Sequence, residues 1–112
     1  ECYRNPKVWG PPTWFFLHTM TLAMPDKIPE SQQHSIKQLM LDLQDVLPCP
    51  SCGENLKQHM EELPIDSHVQ ERASLVQWMV DLHNVVNRNC GKREWSLDEV
   101  LAKYDKAFEQ TA

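Results

Sequence analysis

Apolar residues in this sequence recur three and four positions apart, in segments that prolines and glycines separate. The first segment carries Trp14, Phe15, Leu17, His18, Thr21 and Leu22 and stops before Pro25. Such spacing places the side chains on one face of an α-helix, whereas a half-buried strand would alternate with a period of two. No run in the sequence shows that alternation, so the pattern predicts an all-α fold.

Start and stop signals divide the chain into four helices of bundle length and a shorter fifth. Pro11 and Pro12 suit the first turn of the first helix, where a missing amide donor costs little. Ser67 opens the longest segment, and Gly91 ends it because glycine readily adopts the left-handed conformation that terminates many helices. Residues 96–99 match a capping box at the start of the last helix. We expect a four-helix bundle with a short fifth helix.

Length and charge narrow the class of protein further. The 112 residues, of which 41% are hydrophobic, are enough for one domain, and we expect residues 1–112 to form it. The net charge of −5 argues against a nucleic-acid partner. No stretch approaches the ~18 consecutive apolar residues of a membrane-spanning helix, so we expect no membrane segment.

Two cysteines three positions apart, Cys49 and Cys52, form the most distinctive motif of the chain. Pro50 suits the first position of a helix, which would place Cys49 at the N-terminus of that helix. Unpaired amides and the helix dipole favour a thiolate there. A disulfide across so short a loop removes little entropy from the unfolded chain, so the pair suits reversible oxidation better than cross-linking.

Other interpretations of this pair stay open from the residues alone. Structural zinc would require further ligands, but His59, His68 and His83 are scattered along the chain, and we expect no metal site. The two cysteines could also be incidental buried residues. A thioredoxin-type motif would require a βαβ context, which the helical pattern does not provide. We favour a redox pair in a helical bundle, with a non-catalytic helical interaction or zinc-binding module as the alternative.

Three segments follow one another in an order and spacing typical of a known family. Residues 10–19 are GPPTWFFLHT, residues 49–52 are CPSC, and residues 77–92 are QWMVDLHNVVNRNCGK. They resemble the G-R-x-T-W-x-x-L-H-T, C-x-x-C and W-x-x-x-x-H-N-x-V-N-x-x-x-G-K motifs of the Erv/ALR family of FAD-dependent sulfhydryl (thiol) oxidases. The likeness extends over nearly the whole chain, with a core at about residues 8–109.

This resemblance implies a fold and an activity. The fold would be a four-helix bundle with a short fifth helix, which binds FAD noncovalently within the bundle and usually forms a homodimer. The activity would be the oxidation of dithiol-containing protein substrates, with O2 (giving H2O2) or a cytochrome c-like acceptor taking the electrons. Cys52 would face the flavin, and Cys49 would exchange with outside thiols. The mitochondrial intermembrane space fits best, with a virus-encoded enzyme in host cytoplasm or the secretory pathway as alternatives.

The resemblance also assigns residues to the flavin site. They are Gly10, Thr13, Trp14, His18, His83, Asn84, Val86, Asn87, Lys92, Trp95 and Tyr104. Trp78 is added because tryptophans offer flat apolar surfaces to the rings of a cofactor. His83 and Asn87 lie one helical turn apart, and a polar pair on an apolar face is costly unless a buried group hydrogen-bonds to it.

Each of these residues also has a simpler interpretation. His18 alone would be a hydrogen-bonded core histidine, and Trp14 and Trp78 alone would be core packing. Asn87 could belong to an ordinary fraying helix end. Only the joint pattern favours a flavin site.

The two remaining cysteines are not part of the motif. We expect Cys90 to be a small buried apolar filler, with tuning of the flavin or pairing with Cys2 as alternatives. Cys2 is either unpaired or half of a shuttle or subunit-bridging pair.

Overall fold

The computed structural model describes residues 2–110 of the chain, apart from the side chain of Cys2. The helices are α1 Pro6–Leu22, α2 Glu30–Val46, α3 Pro50–Glu62, α4 Arg72–Asn89 and α5 Leu97–Glu109. Short 3-10 turns at Cys2–Arg4 and Asp66–His68 precede α1 and α4. No strand occurs between residues 2 and 110, and the prediction of an all-α helical bundle is confirmed.

Helix α1 begins more than one turn earlier than the sequence indicates. Pro6 occupies its first position, and the side chain of Asn5 caps it by accepting a hydrogen bond from the amide of Lys7 at 3.0 Å. Pro11 and Pro12 therefore lie inside the helix, and the prediction that they form its first turn is wrong. The earlier start follows from Asn5 and Pro6, which together supply the cap and the preset backbone angle.

Helix α4 begins later than predicted, at Arg72 rather than at Ser67. Ser67 lies in the 3-10 turn Asp66–His68, and the chain after it is extended where the amide of Ile28 donates to the carbonyl of Gln70 at 2.9 Å. The guanidinium of Arg72 donates to the carbonyl of Met24 at 3.0 Å. These bonds tie the α1–α2 connection to the residues before α4 and so hold them out of the helix.

Three other helix-end predictions, at Cys49, Ser96 and Gly91, are confirmed. Cys49 is the N-cap of α3, with Pro50 at the first helical position. Ser96 and Glu99 form both hydrogen bonds of a capping box at the start of α5. Gly91 follows α4 with a φ of 71°, a left-handed conformation that glycine adopts without the strain a Cβ would cause.

The helices pack in two principal pairs, α1 with α4 and α2 with α3. Side chains from both pairs and from the connections form the main core: Leu17, Ile28, Ile36, Met40, Leu56, Met60, Ile65, Val69, Leu75, Trp78, Met79 and Leu82. A smaller cluster of Val80, Val100 and Tyr104 joins α5 to α4. Within residues 2–110, no helix combines the length and the apolar character that crossing a membrane requires.

We predict that Gly53→Ala destabilises the fold, whereas Gly10→Ala does not. A Cβ on Gly53 in α3 would overlap the backbone carbonyl oxygen of Gln44 in α2. The free energy of unfolding should fall by about 1–3 kcal/mol, the usual cost of an inserted methyl group in a packed site.

Gly10→Ala is the matched control, because a Cβ on this helical glycine meets no atom within 4 Å. It should leave stability unchanged or raise it by up to ~1 kcal/mol. Urea unfolding of both variants without added ligand makes the comparison. Equal stability of Gly53→Ala and wild type would show that α2 and α3 do not approach this closely.

Candidate functional site

A cleft of about 800 Å³ opens among the helices. Its size lies in the range of about 300–1,000 Å³ that is typical of small-molecule and cofactor sites. Apolar side chains such as Leu17, Met40 and Val80 form most of its wall, with polar groups at a few positions. The cleft has the character of a site for a large, partly aromatic ligand.

Nearly all of the residues that the sequence assigns to a cofactor site line this cleft. They are Gly10, Thr13, Trp14, His18, His83, Asn84, Val86, Asn87, Lys92, Trp95 and Tyr104. Trp78 is the exception, because it is 2% exposed within the main core and its indole N–H donates to the carbonyl of Leu63 at 2.9 Å. The structure therefore does not bring Trp78 to the cleft, and its position is that of a core residue.

One wall of the cleft consists of stacked and hydrogen-bonded rings from α1, α4 and α5. Trp14 stacks on His83 with ring centroids 4.0 Å apart and planes 4° from parallel. The Nε2 atom of His18 and the Nδ1 atom of His83 are 2.9 Å apart, so that one ring donates a hydrogen bond to the other. Tyr104 presents its ring to that of His18 edge-on at 5.5 Å. These contacts hold the three helices together at the cleft.

Burial keeps this wall uncharged at neutral pH. Loss of solvation lowers the pKa of His18 from 6.5 to about 4, and the positive charge of Lys103 lowers it as well. Loss of solvation likewise lowers the pKa of His83 to about 4, assisted by repulsion from His18, Lys103 and Lys92. Burial raises the pKa of Tyr104 to about 12. Both imidazoles are therefore neutral at pH 7, and their hydrogen bond pairs the N–H of one ring with the lone pair of the other.

The two asparagines of the cleft have different surroundings. Asn84 donates to the carbonyl of Trp95 at 2.7 Å and accepts from the amide of Trp95 at 2.8 Å, so it fixes the loop between α4 and α5. Asn87 is 7% exposed, yet its side chain has no hydrogen-bond partner within the part of the chain that the structure describes. The side-chain amide of Asn87 faces the open cleft, where it can hydrogen-bond to a polar group of a ligand.

The cleft also contains polar residues that sequence reasoning missed. Lys103 on α5 lines the cleft, and its Nζ atom lies 5.2 Å from the ring centroid of Trp95. Arg93 is not part of the lining, although its guanidinium lies 4.2 Å from the same centroid. His59 on α3 and Asn89 on α4 are joined by a hydrogen bond of 3.2 Å. The one usable signal was that Lys103 directly precedes Tyr104, a residue that was assigned to the site.

The two cysteines of the motif form a disulfide at the edge of the cleft. Cys52, in the first turn of α3, lines the cleft, whereas Cys49 does not. The amide of Cys52 donates to the Sγ atom of Cys49 at 3.3 Å. One sulfur thus belongs to the cleft wall and the other to the protein surface around the α3 N-terminus.

Comparison with known proteins identifies the family to which this arrangement belongs. Residues 11–107 match the sequence profile of the Erv1/Alr family. The chain belongs to the Erv1/Alr family. Within the family, the FAD-linked sulfhydryl oxidase ERV1 of Arabidopsis thaliana is 35% identical over 97 residues, which are 87% of this chain and 50% of that protein.

Two further Erv1/Alr relatives are a viral protein and a mitochondrial protein. The probable FAD-linked sulfhydryl oxidase R368 of Acanthamoeba polyphaga mimivirus is 31% identical over 105 residues, which are 93% of this chain and 73% of that protein. The mitochondrial FAD-linked sulfhydryl oxidase erv1 of Schizosaccharomyces pombe is 34% identical over 83 residues, which are 74% of this chain and 46% of that protein. This chain therefore spans about half the length of its plant and yeast relatives.

The fold of this Erv1/Alr chain matches that of a solved member. The yeast Erv1 core superposes with a TM-score of 0.78 at 23% sequence identity, over 84% of this chain and 78% of that chain. This agreement confirms the helical architecture that the resemblance predicted.

Cys90 differs from the expectation of a buried filler. It is a free, exposed cysteine at the C-cap of α4, and it lines the cleft. The buried-filler prediction is wrong because α4 ends at Asn89, so that the apolar stripe of the helix does not reach this position. The predictions for Cys2 lie outside the described residues.

No three His, Cys, Asp or Glu side chains of residues 2–110 are grouped so that they could hold a metal ion. The structure therefore gives no support to the zinc-binding interpretation of the cysteine pair.

We predict that the histidine pair makes this Erv1/Alr fold less stable as the pH falls from 6.5 to 4. In that window the unfolded chain protonates both histidines, whereas the folded chain, with pKa values of about 4, does not. Proton uptake by the unfolded state alone lowers the free energy of unfolding. Each kcal/mol that is lost should lower the melting temperature by roughly 4–8 °C.

Thermal unfolding of His83→Leu and His34→Gln across this pH range tests the assignment. His83→Leu removes one member of the pair and should flatten the pH dependence. His34, which is exposed on α2, is the control, and its replacement should leave the wild-type dependence in place. If the pH profile of His83→Leu were as steep as that of wild type, the histidine pair would not be its source.

Proposed function

We propose that this chain is an FAD-dependent thiol oxidase, which generates disulfide bonds in dithiol-containing protein substrates through Cys49 and Cys52. One observation carries the proposal: a disulfide spans the border of a cofactor-sized cleft, with the sulfur-bearing Cys52 in its wall and Cys49 outside it. That position suits transfer of electrons from thiols outside the cleft to a group bound within it. The names of the relatives, FAD-linked sulfhydryl oxidases, support the same reaction.

The residues of the cleft fit FAD. Asn87 offers the cleft a side-chain amide with no hydrogen-bond partner among residues 2–110. Space is open at Gly10, where a Cβ would meet no atom within 4 Å. The stacked rings of Trp14 and His83 offer a flat wall for an aromatic ring system. Lys92 and Lys103 supply positive charge for a phosphate-bearing ligand. Bound there, FAD would supply a two-electron acceptor next to the disulfide.

The chain's own part in the reaction is thiol–disulfide exchange. A substrate thiolate attacks the Sγ atom of Cys49, the 49–52 bond breaks, and Cys52 leaves as a thiolate at the wall of the cleft. A second substrate thiol then attacks the substrate sulfur of the mixed disulfide and releases Cys49. The substrate has lost two electrons and two protons, and the cysteine pair has gained the electrons.

In this proposal, His18 and His83 form a neutral, rigid part of the cleft wall. With pKa values of about 4, His18 and His83 are poor bases at neutral pH. Their hydrogen bond leaves one nitrogen of His83 for a ligand, as a donor or as an acceptor according to the tautomer. We therefore assign them to binding and orientation rather than to proton uptake.

The finer features of the enzyme are also part of the proposal. Residues 1–112 act as one domain, and the exposed apolar residues Val8 and Phe16 on α1 are consistent with a second copy as partner. O2 or a cytochrome c-like protein is the electron acceptor. The mitochondrial intermembrane space is the compartment, since a mitochondrial protein is among the relatives, and the viral relatives keep host cytoplasm as an alternative.

Cys52→Ser tests the proposed function. The purified wild-type protein should be yellow and should consume oxygen when dithiothreitol is added. Cys52→Ser should keep the flavin absorbance but reduce oxygen consumption to the background rate, because the disulfide that accepts the substrate's electrons cannot form.

Cys90→Ser is the matched control, since Cys90 is a free thiol that also lines the cleft. It should keep both the flavin absorbance and the turnover. Full turnover in Cys52→Ser, or a colourless wild-type protein, would contradict the proposal.

A further inference from the structure

Two hydrogen-bond donors from the first turn of α3 point at the Sγ atom of Cys49. The amide of Cys52 lies 3.3 Å from this sulfur, and the hydroxyl oxygen of Ser51 lies 3.2 Å from it. Cys49 is the N-cap of the helix, so its sulfur takes the place of the oxygen that Ser or Asp offers at this position. The sulfur carries no proton in the disulfide, and the hydroxyl of Ser51 is therefore the donor.

The hydrogen bonds from these two donors become stronger when Cys49 becomes a thiolate. A hydrogen bond to an ionised acceptor is roughly twice as strong as one between neutral groups. The N-terminus of α3 adds the positive end of the helix dipole at the same atom. The Sγ atom of Cys52 accepts no hydrogen bond from any residue in the range 2–110, so the two sulfurs of the pair are unequal.

We propose that Ser51 is a positioning residue that stabilises the thiolate of Cys49 as it is released from the mixed disulfide with the substrate. In that step the second substrate thiolate attacks the substrate sulfur, the bond between that sulfur and Cys49 breaks, and the electron pair goes to Cys49. A thiol leaves faster the less basic it is, so the hydroxyl of Ser51 speeds product release. The role rests on the proposed thiol-oxidase function.

The same contact acts on the second step of exchange, the release of Cys49 from the mixed disulfide. There it makes Cys49 a better leaving group, while Cys52, without such donors, keeps the more basic and more nucleophilic sulfur at the cleft. Ser51 is exposed in the first turn of α3, where replacement by alanine removes the hydroxyl with little effect on packing.

Ser51→Ala should change two properties that replacement of a purely structural residue would leave unchanged. The equilibrium constant for reduction of the 49–52 disulfide should fall about three- to tenfold, the usual effect of one lost hydrogen bond. For this two-electron couple a tenfold change corresponds to about 30 mV. The measurement is an anaerobic titration of the flavin-loaded protein at pH 8 with dithiothreitol buffers, in which alkylation and mass spectrometry count the reduced cysteines.

The second property is the rate at which Cys49 leaves a mixed disulfide. In protein that also carries Cys52→Ser, Cys49 is loaded with glutathione, and free glutathione then displaces it. Ser51→Ala should slow this release about two- to fivefold, because the leaving thiolate is more basic. Ser51→Thr, which keeps the hydroxyl, should restore the wild-type rate. Ser35→Ala, which removes a hydroxyl bonded to a carbonyl within α2, should have no effect.

The outcomes separate this inference from the proposed function. If Ser51→Ala, folded as judged by circular dichroism, kept the wild-type equilibrium constant and release rate, the inference would be overturned. Failure of Ser51→Thr to restore the rate would overturn it as well. If Ser51→Ala slowed release in the Cys52→Ser protein while the flavin-loaded protein with both Cys49 and Cys52 consumed no oxygen with dithiols, the result would support the inference and contradict the proposed function.

Discussion

The hydrogen bond between His18 and His83 is the contact on which the cleft depends. It joins α1 to α4, and the stack of Trp14 on His83 fixes the orientation of both rings. Two imidazoles can approach this closely only when they do not both carry a charge, and burial secures that condition by lowering both pKa values to about 4. One helical turn after His83, the side-chain amide of Asn87 faces the cleft, where a ligand can hydrogen-bond to it.

The second constraint is the start of α3. Pro50 at its first position leaves Cys49 as the N-cap, and the first turn then brings Cys52 into the wall of the cleft. Gly53 follows, and a side chain there would meet the backbone of Gln44 on α2. The helix start thus fixes both sulfurs relative to the ring wall and makes one of them the acceptor of two donors. The proposed exchange with outside thiols and the proposed delivery of electrons into the cleft rest on this asymmetry.

The helices could be predicted from the sequence because their signals are local, whereas most of the residues that line the cleft were named only through the family resemblance. The capping box at Ser96, the stop at Gly91 and the cap at Cys49 each depend on a few neighbouring residues. Trp78 shows the limit, since helical spacing does not tell whether an aromatic residue faces the core or a cleft. The His59–Asn89 pair has no local signal, and Lys103 has only its place beside Tyr104. The packing of α3 and α5 beside the cleft shows the relevance of these residues.

The most direct test of this account is the anaerobic reduction of the bound flavin by a dithiol. The account predicts that dithiothreitol, added without oxygen, rapidly removes the visible absorbance of the wild-type flavoprotein. Cys49→Ser, prepared with the same flavin content, should lose its absorbance far more slowly, because the surface sulfur that receives the substrate's electrons is missing. Equal rates in the two proteins would contradict the coupling of the cysteine pair to the cleft.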